Sequence, residues 1–66
     1  MTRFEKDKNT ILNNINEGLE ILRTRKEELN NLLHEGKTEK NSWRRDIIAQ
    51  EYLKKQKEYN KLSELI

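Results

Sequence analysis

The chain has 66 residues, 39% charged and 32% hydrophobic, with 14 basic side chains against 12 acidic, one histidine, no proline and no cysteine. That length allows one domain with a small core, the lack of cysteine excludes disulfides and thiolate metal sites, and no apolar run approaches the roughly 18 residues of a membrane span. A net charge of +2 from intermixed signs lacks the heavy imbalance or dedicated basic stripe usual in nucleic-acid binders.

Glu, Lys and Leu are the commonest residues, while β-branched and aromatic residues are few, so helix is favoured over sheet. A charge content this high raises the alternative of a disordered chain. The placement of the apolar residues opposes that. Phe4, Ile11, Ile15, Gly18, Leu22, Leu29 and Leu33 recur at steps of three, four or seven, within a wedge of roughly 60° on a helix. Leu12, Leu19 and Leu32 widen the wedge, and Asn9, Asn13, Asn16, Glu20, Glu27 and Asn31 lie opposite.

The spacing predicts a first helix over about 3–34. Thr2 followed by Glu5 fits a capping box at its start, and Arg23–Glu27 is a favourable i,i+4 pair. Gly18 lies on the apolar stripe, either as a tolerated small residue or at a close helix–helix approach. Arg25 and Lys26 interrupt the stripe, where long basic side chains can lay their methylenes on apolar surface. The repeat of Ile15, Leu22 and Leu29 with Ile11, Gly18, Arg25 and Leu32 fits a left-handed seam.

A turn is predicted over 35–38, with Gly36 in the left-handed conformation that closes helices and His34 near the negative end of the dipole. Thr38 is a candidate cap for the next helix; Asn41 or Ser42 would start it one turn later. The second helix is expected over about 39–64, supported by Glu51–Lys55 and Lys54–Glu58. It carries two apolar edges, one of Ile48, Tyr52, Tyr59 and Ile66 and another of Trp43, Ile47 and Leu65. Two edges call for two neighbours. Folding at about Lys37 sets Tyr52 opposite Leu22, Tyr59 opposite Ile15, Leu62 opposite Leu12 and Trp43 opposite Leu32, and leaves Phe4 overhanging.

The expected fold is therefore all-α: residues 1–66 form a single antiparallel two-helix hairpin, coiled-coil-like, completed as a four-helix bundle by dimerisation or by a partner helix. One helix against another half-buries most of its leucines, while ordering each residue costs about 1–2 kcal/mol of backbone entropy. Such a hairpin needs company.

No catalytic constellation is visible. His34 has no second histidine or cysteine beside it in sequence, and glycine-rich phosphate loops, HExxH and GxSxG are missing. No enzyme activity, cofactor, metal or small-molecule substrate is expected. The expected function is a protein-interaction module (an adaptor, regulator, inhibitor or chaperone-like protein) contacting its partner or a second copy through Phe4, Ile15, Leu22, Trp43, Ile47, Tyr52 and Tyr59. The alternative is a dimeric nucleic-acid-binding regulator using Lys37, Lys40, Arg44 and Arg45 around Trp43. No signal peptide opens the chain, and the polar face mixes both charge signs, so a cytoplasmic protein off the membrane is expected. Lys, Asn and Ile supply 23 of the 66 residues, a bias fitting an AT-rich bacterial or phage genome.

Overall fold

In the computed structural model, which describes residues 1–66, the chain forms three helices and no strand: α1 (Arg3–Asn13), α2 (Ile15–Thr38) and α3 (Ser42–Ser63). Each start is set by an oxygen-bearing side chain. The Thr2 hydroxyl accepts the Glu5 N–H at 3.2 Å, as the capping pattern predicts. Asn41 Oδ1 accepts the N–H groups of Trp43 and Arg44 at 2.9 and 3.2 Å.

The first correction concerns the helix predicted over 3–34. It is broken at Asn14, which takes an extended conformation with φ −149° and ψ 107°. Asn14 closes α1 with its N–H on the Thr10 carbonyl at 2.8 Å. It also opens α2, its Oδ1 accepting from Asn16 and Glu17 at 3.1 and 3.3 Å. A short amide side chain that bonds the following backbone competes with the helix interior, and here it wins. α1 then folds back so that Ile11, 4% exposed, lies on Gly18. Of the two readings of Gly18, the close approach is the one seen: a Cβ there would stand 2.9 Å from Ile11 Cγ1 and 3.0 Å from its Cα.

The second correction concerns the turn. α2 runs through Gly36 to Thr38, and no residue has a positive φ. The turn predicted over 35–38 lies instead at residues 39–41, and Thr38, rather than capping the next helix, donates its hydroxyl to the carbonyls of His34 and Glu35 at 3.1 and 3.3 Å. One interior glycine costs about 1 kcal/mol, a loss comparable to what the stronger asparagine cap beyond it contributes. α3 accordingly starts at Ser42, not Glu39, and ends at Ser63.

Moving the turn shifts the register. Arg25 meets Glu58, Glu28 meets Lys55, and Lys26 Nζ sits 5.6 Å from the centre of the Tyr59 ring. Tyr59 therefore stands beside Lys26 and not across from Ile15, which is about 16 Å away along α2 at 1.5 Å per residue. The other pairings drawn from a fold at Lys37 move with it. Phe4 does not overhang: it is half-buried in a shallow groove with Lys54, Glu58 and Lys61 of α3.

The three helices, each antiparallel to the one before it in the chain, make a body of 42 × 19 × 17 Å with a radius of gyration of 13.4 Å, against about 10.8 Å for a compact chain of this length. Ile11, Leu29 and Leu62 are its buried hydrophobic side chains, one from each helix.

Candidate interaction surface

A charged clamp holds α1 in place. The Arg25 side chain of α2 is 5% exposed; its Nε donates to Asp7 Oδ2 of α1 at 2.7 Å and its Nη1 to Glu58 Oε2 of α3 at 3.3 Å. Its Nη2 is buried without a partner. One turn away, Arg3 of α1 donates to both oxygens of Glu28, which Lys55 Nζ approaches at 3.5 Å. Three cations and three carboxylates from three helices thus balance. The Arg3 hydrogen bond pulls the Glu28 carboxyl down to about 2, with the charges of Arg3 and Lys55 adding to it, while partial burial opposes the shift. Reciprocally, the Arg3 guanidinium is raised, first by that hydrogen bond. Expected helix-surface pairs give way to these contacts: Lys55 and Glu58 turn toward α2, and Arg23 meets Glu20 at 3.4 Å in place of Glu27.

Elsewhere large apolar side chains stand exposed among the charged ones. Leu12, Ile15 and Leu19 are 59%, 56% and 50% exposed around the α1–α2 bend, and Trp43, Ile47 and Leu53 are 70%, 44% and 57% exposed on α3. The two edges expected of the second helix are present up to the end of α3; Leu65 and Ile66 lie beyond it, and Ile66, expected beside Tyr59, is 49% exposed. Ile48, Tyr52 and Tyr59 are half-buried against α2, while Trp43, Ile47 and Leu65 face solvent. Between the last turns of α2 and the first turns of α3 lies an open groove of about 560 Å³ whose apolar walls include Leu32, Leu33, Ile48, Ala49, Tyr52 and Leu53, with Lys37, Arg45 and Asp46 at its rim.

The seven contact residues expected from the sequence do not converge on one site. Phe4, Leu22, Tyr52 and Tyr59 are half-buried, partly covered by the chain itself, whereas Ile15, Trp43 and Ile47 are exposed. Lys37, Lys40, Arg44 and Arg45 are all exposed, flanking Trp43 in the sequence near the turn between α2 and α3. Sequence reasoning missed the clamp, because it treated Arg25 as an aliphatic stem, and missed the break, although Asn14 followed by Glu17 repeats the capping pattern seen at Thr2 and Glu5. It also passed over the Leu33 and Leu53 groove walls.

No helix is long and apolar enough to cross a membrane, and no three His, Asp or Glu side chains gather as a metal site. Compared with family models, curated proteins and solved structures, the chain matches none.

Proposed function

We infer that this chain is a non-catalytic protein-interaction module, an adaptor, regulator or inhibitor, whose uncovered apolar surface is completed by a second copy or by a partner helix in a bundle. The carrying observation is the ratio of what is hidden to what is not. Three large hydrophobic side chains are buried, and Leu12, Ile15, Leu19, Leu33, Trp43, Ile47 and Leu53 are at least 44% exposed. The total accessible surface is 5198 Å², against about 4,450 Å² for a folded monomer of this mass. The excess, roughly 750 Å², is close to the ~800 Å² that one partner contributes to a standard interface. A chaperone-like role, shielding the apolar helix of another protein, is one form of this reading.

Light scattering with circular dichroism across concentration tests it. Mass and helicity that rise together support self-completion; a weakly helical monomer that gains structure on adding an amphipathic helical partner supports hetero-completion. A monomer with full helicity at micromolar concentration and no affinity for either removes the proposal.

A second reading is favoured by one feature: Trp43, 70% exposed at the start of α3, has exposed Lys37, Lys40, Arg44 and Arg45 near it in the sequence. Basic side chains around a free aromatic can grip phosphates and stack a base. Salt-dependent retention on single-stranded nucleic acid would support it, and no retention at low salt would remove it.

A further inference from the structure

The α1–α2 junction consists of one residue, Asn14, between two helices that end and begin on either side of it. The apolar stripe continues in phase through this break: Phe4, Ile11, Ile15, Gly18, Leu22 and Leu29 would share one face if residues 3–38 were a single helix. Straightening requires helical φ and ψ at Asn14 alone. It gives up the Asn14 side-chain cap and lets the N–H groups of Ile15, Asn16 and Glu17 reach the carbonyls of Ile11, Leu12 and Asn13.

What holds α1 down is equally available from another chain. Its grip consists of Arg3 on Glu28, Asp7 on Arg25, Ile11 on Gly18, and Phe4 in the shallow groove of α3. None of these contacts requires α1 to belong to the same molecule. The folded-back form also leaves Leu12, Ile15 and Leu19 on the outside of the bend, each at least half exposed. On a straight helix those three fall within about 60° of one another.

We propose that α1 exchanges between two copies of this chain: the junction straightens at Asn14, and each α1 docks in the cradle formed by α2 and α3 of the other copy. This rests on the reading of the protein as a module completed by self-association, and it names the segment and the surface. The two straightened helices run antiparallel about a two-fold axis near Ile15. The register of Arg3 against Glu28 and Asp7 against Arg25 is the same in cis and in trans, and in trans it also brings Ile15 of one copy close to Ile15 of the other at the axis. Ile15, 56% exposed at the bend of the monomer, thereby gains an apolar neighbour across the axis that the folded-back chain cannot supply, and that difference favours exchange over refolding in cis.

Charge-reversed variants test the exchange. Arg3→Glu places two carboxylates together at residues 3 and 28, and Glu28→Lys places two cations there. Neither variant can satisfy the contact with itself, in cis or in its own dimer. Mixed, an exchanged heterodimer restores an opposite-charge contact at both sites. Both positions are partly solvent-exposed, with side chains 51% and 32% accessible, so both variants should fold.

Native mass spectrometry of the equimolar mixture, refolded together, should show heterodimer well above the statistical half. A statistical distribution overturns the exchange while leaving association through another face intact. Absence of any wild-type dimer overturns it too, and leaves a partner of different sequence as the remaining form of the proposed function. Asn14 supplies an independent measurement. Ala is favoured over Gly in a helix interior by a factor of roughly five, and two junctions straighten per dimer, so Asn14→Ala should dimerise about 25-fold more tightly than Asn14→Gly. Equal affinities, or the reverse order, overturn the proposal.

Discussion

At the scale of single residues the fold depends on an arginine where a leucine would be expected. Arg25 lies on the inward face of α2 with Asp7 and Glu58 on its guanidinium and one nitrogen without a partner. Removing it would leave Glu58 without its counter-charge and Asp7 with only the more distant Arg3 Nε, at 3.8 Å. Arg25→Met should destabilise the chain by about 3 kcal/mol, measured by urea unfolding, whereas the triple change with Asp7→Leu and Glu58→Leu should recover most of the loss, because an apolar set of similar volume needs no desolvation of charge. Gly18 is the second such residue. On an exposed helix Gly→Ala stabilises by about 1 kcal/mol; here the new methyl would sit 2.9 Å from Ile11 Cγ1 and 3.0 Å from a backbone carbon of α1. Overpacking of that kind costs about 1–3 kcal/mol. Gly18→Ala should therefore loosen α1 and lower amide-exchange protection over residues 3–13 while leaving α2 and α3 protected.

Among the elements, α1 is the one held mainly by charge, and its docking should follow pH. The Glu28 carboxyl lies at about 2 in the folded chain and at 4.5 when free. Its folded value is depressed, so its contribution is present in full above about pH 4.5 and is lost as pH falls toward 2. Acid titration followed by exchange protection of α1 should show this loss, and Glu28→Gln should flatten that part of the profile; an unchanged profile would contradict the Arg3–Glu28 contact. This element was also the hardest to read from sequence. The period of three and four from Phe4 to Leu33 is real, and it identified Ile11, Gly18 and Leu29 as inward-facing. Periodicity carries no mark of where a helix folds back, because Asn14 breaks the rod without disturbing the phase of the stripe. The cap chemistry of Asn14 and Glu17 was the legible signal. Gly36 misled for the complementary reason: glycine permits a left-handed helix end but does not compel one. The two apolar edges of α3 were legible throughout, since Ile48 and Trp43 lie on different faces whatever the register.

The whole molecule is a long, thin body whose surface exceeds that of a compact chain by about the area of half an interface. Much of its exposed apolar character lies toward the turn, beyond the reach of α1, where Trp43 and Ile47 line one edge of α3 and Leu33 and Leu53 flank the groove. The consequence can be tested apart from the stability of the helices. Trp43 and Ile47 are 70% and 44% exposed, so replacing them with polar residues removes little internal packing. Surface substitutions of that kind usually change monomer stability by within about 0.5 kcal/mol. If the surface works in association, the same changes remove anchors of the type that dominate interfaces, and each should weaken binding by about 2 kcal/mol or more. Trp43→Gln with Ile47→Gln should therefore keep the helicity and unfolding midpoint of the dilute chain and leave the α1-exchanged dimer in place, while weakening the capture of an amphipathic partner helix at the turn. A double variant that takes up such a helix as tightly as the parent would place the partner surface elsewhere, whereas the exchanged dimer is probed at the bend, where Ile15→Gln should carry the loss.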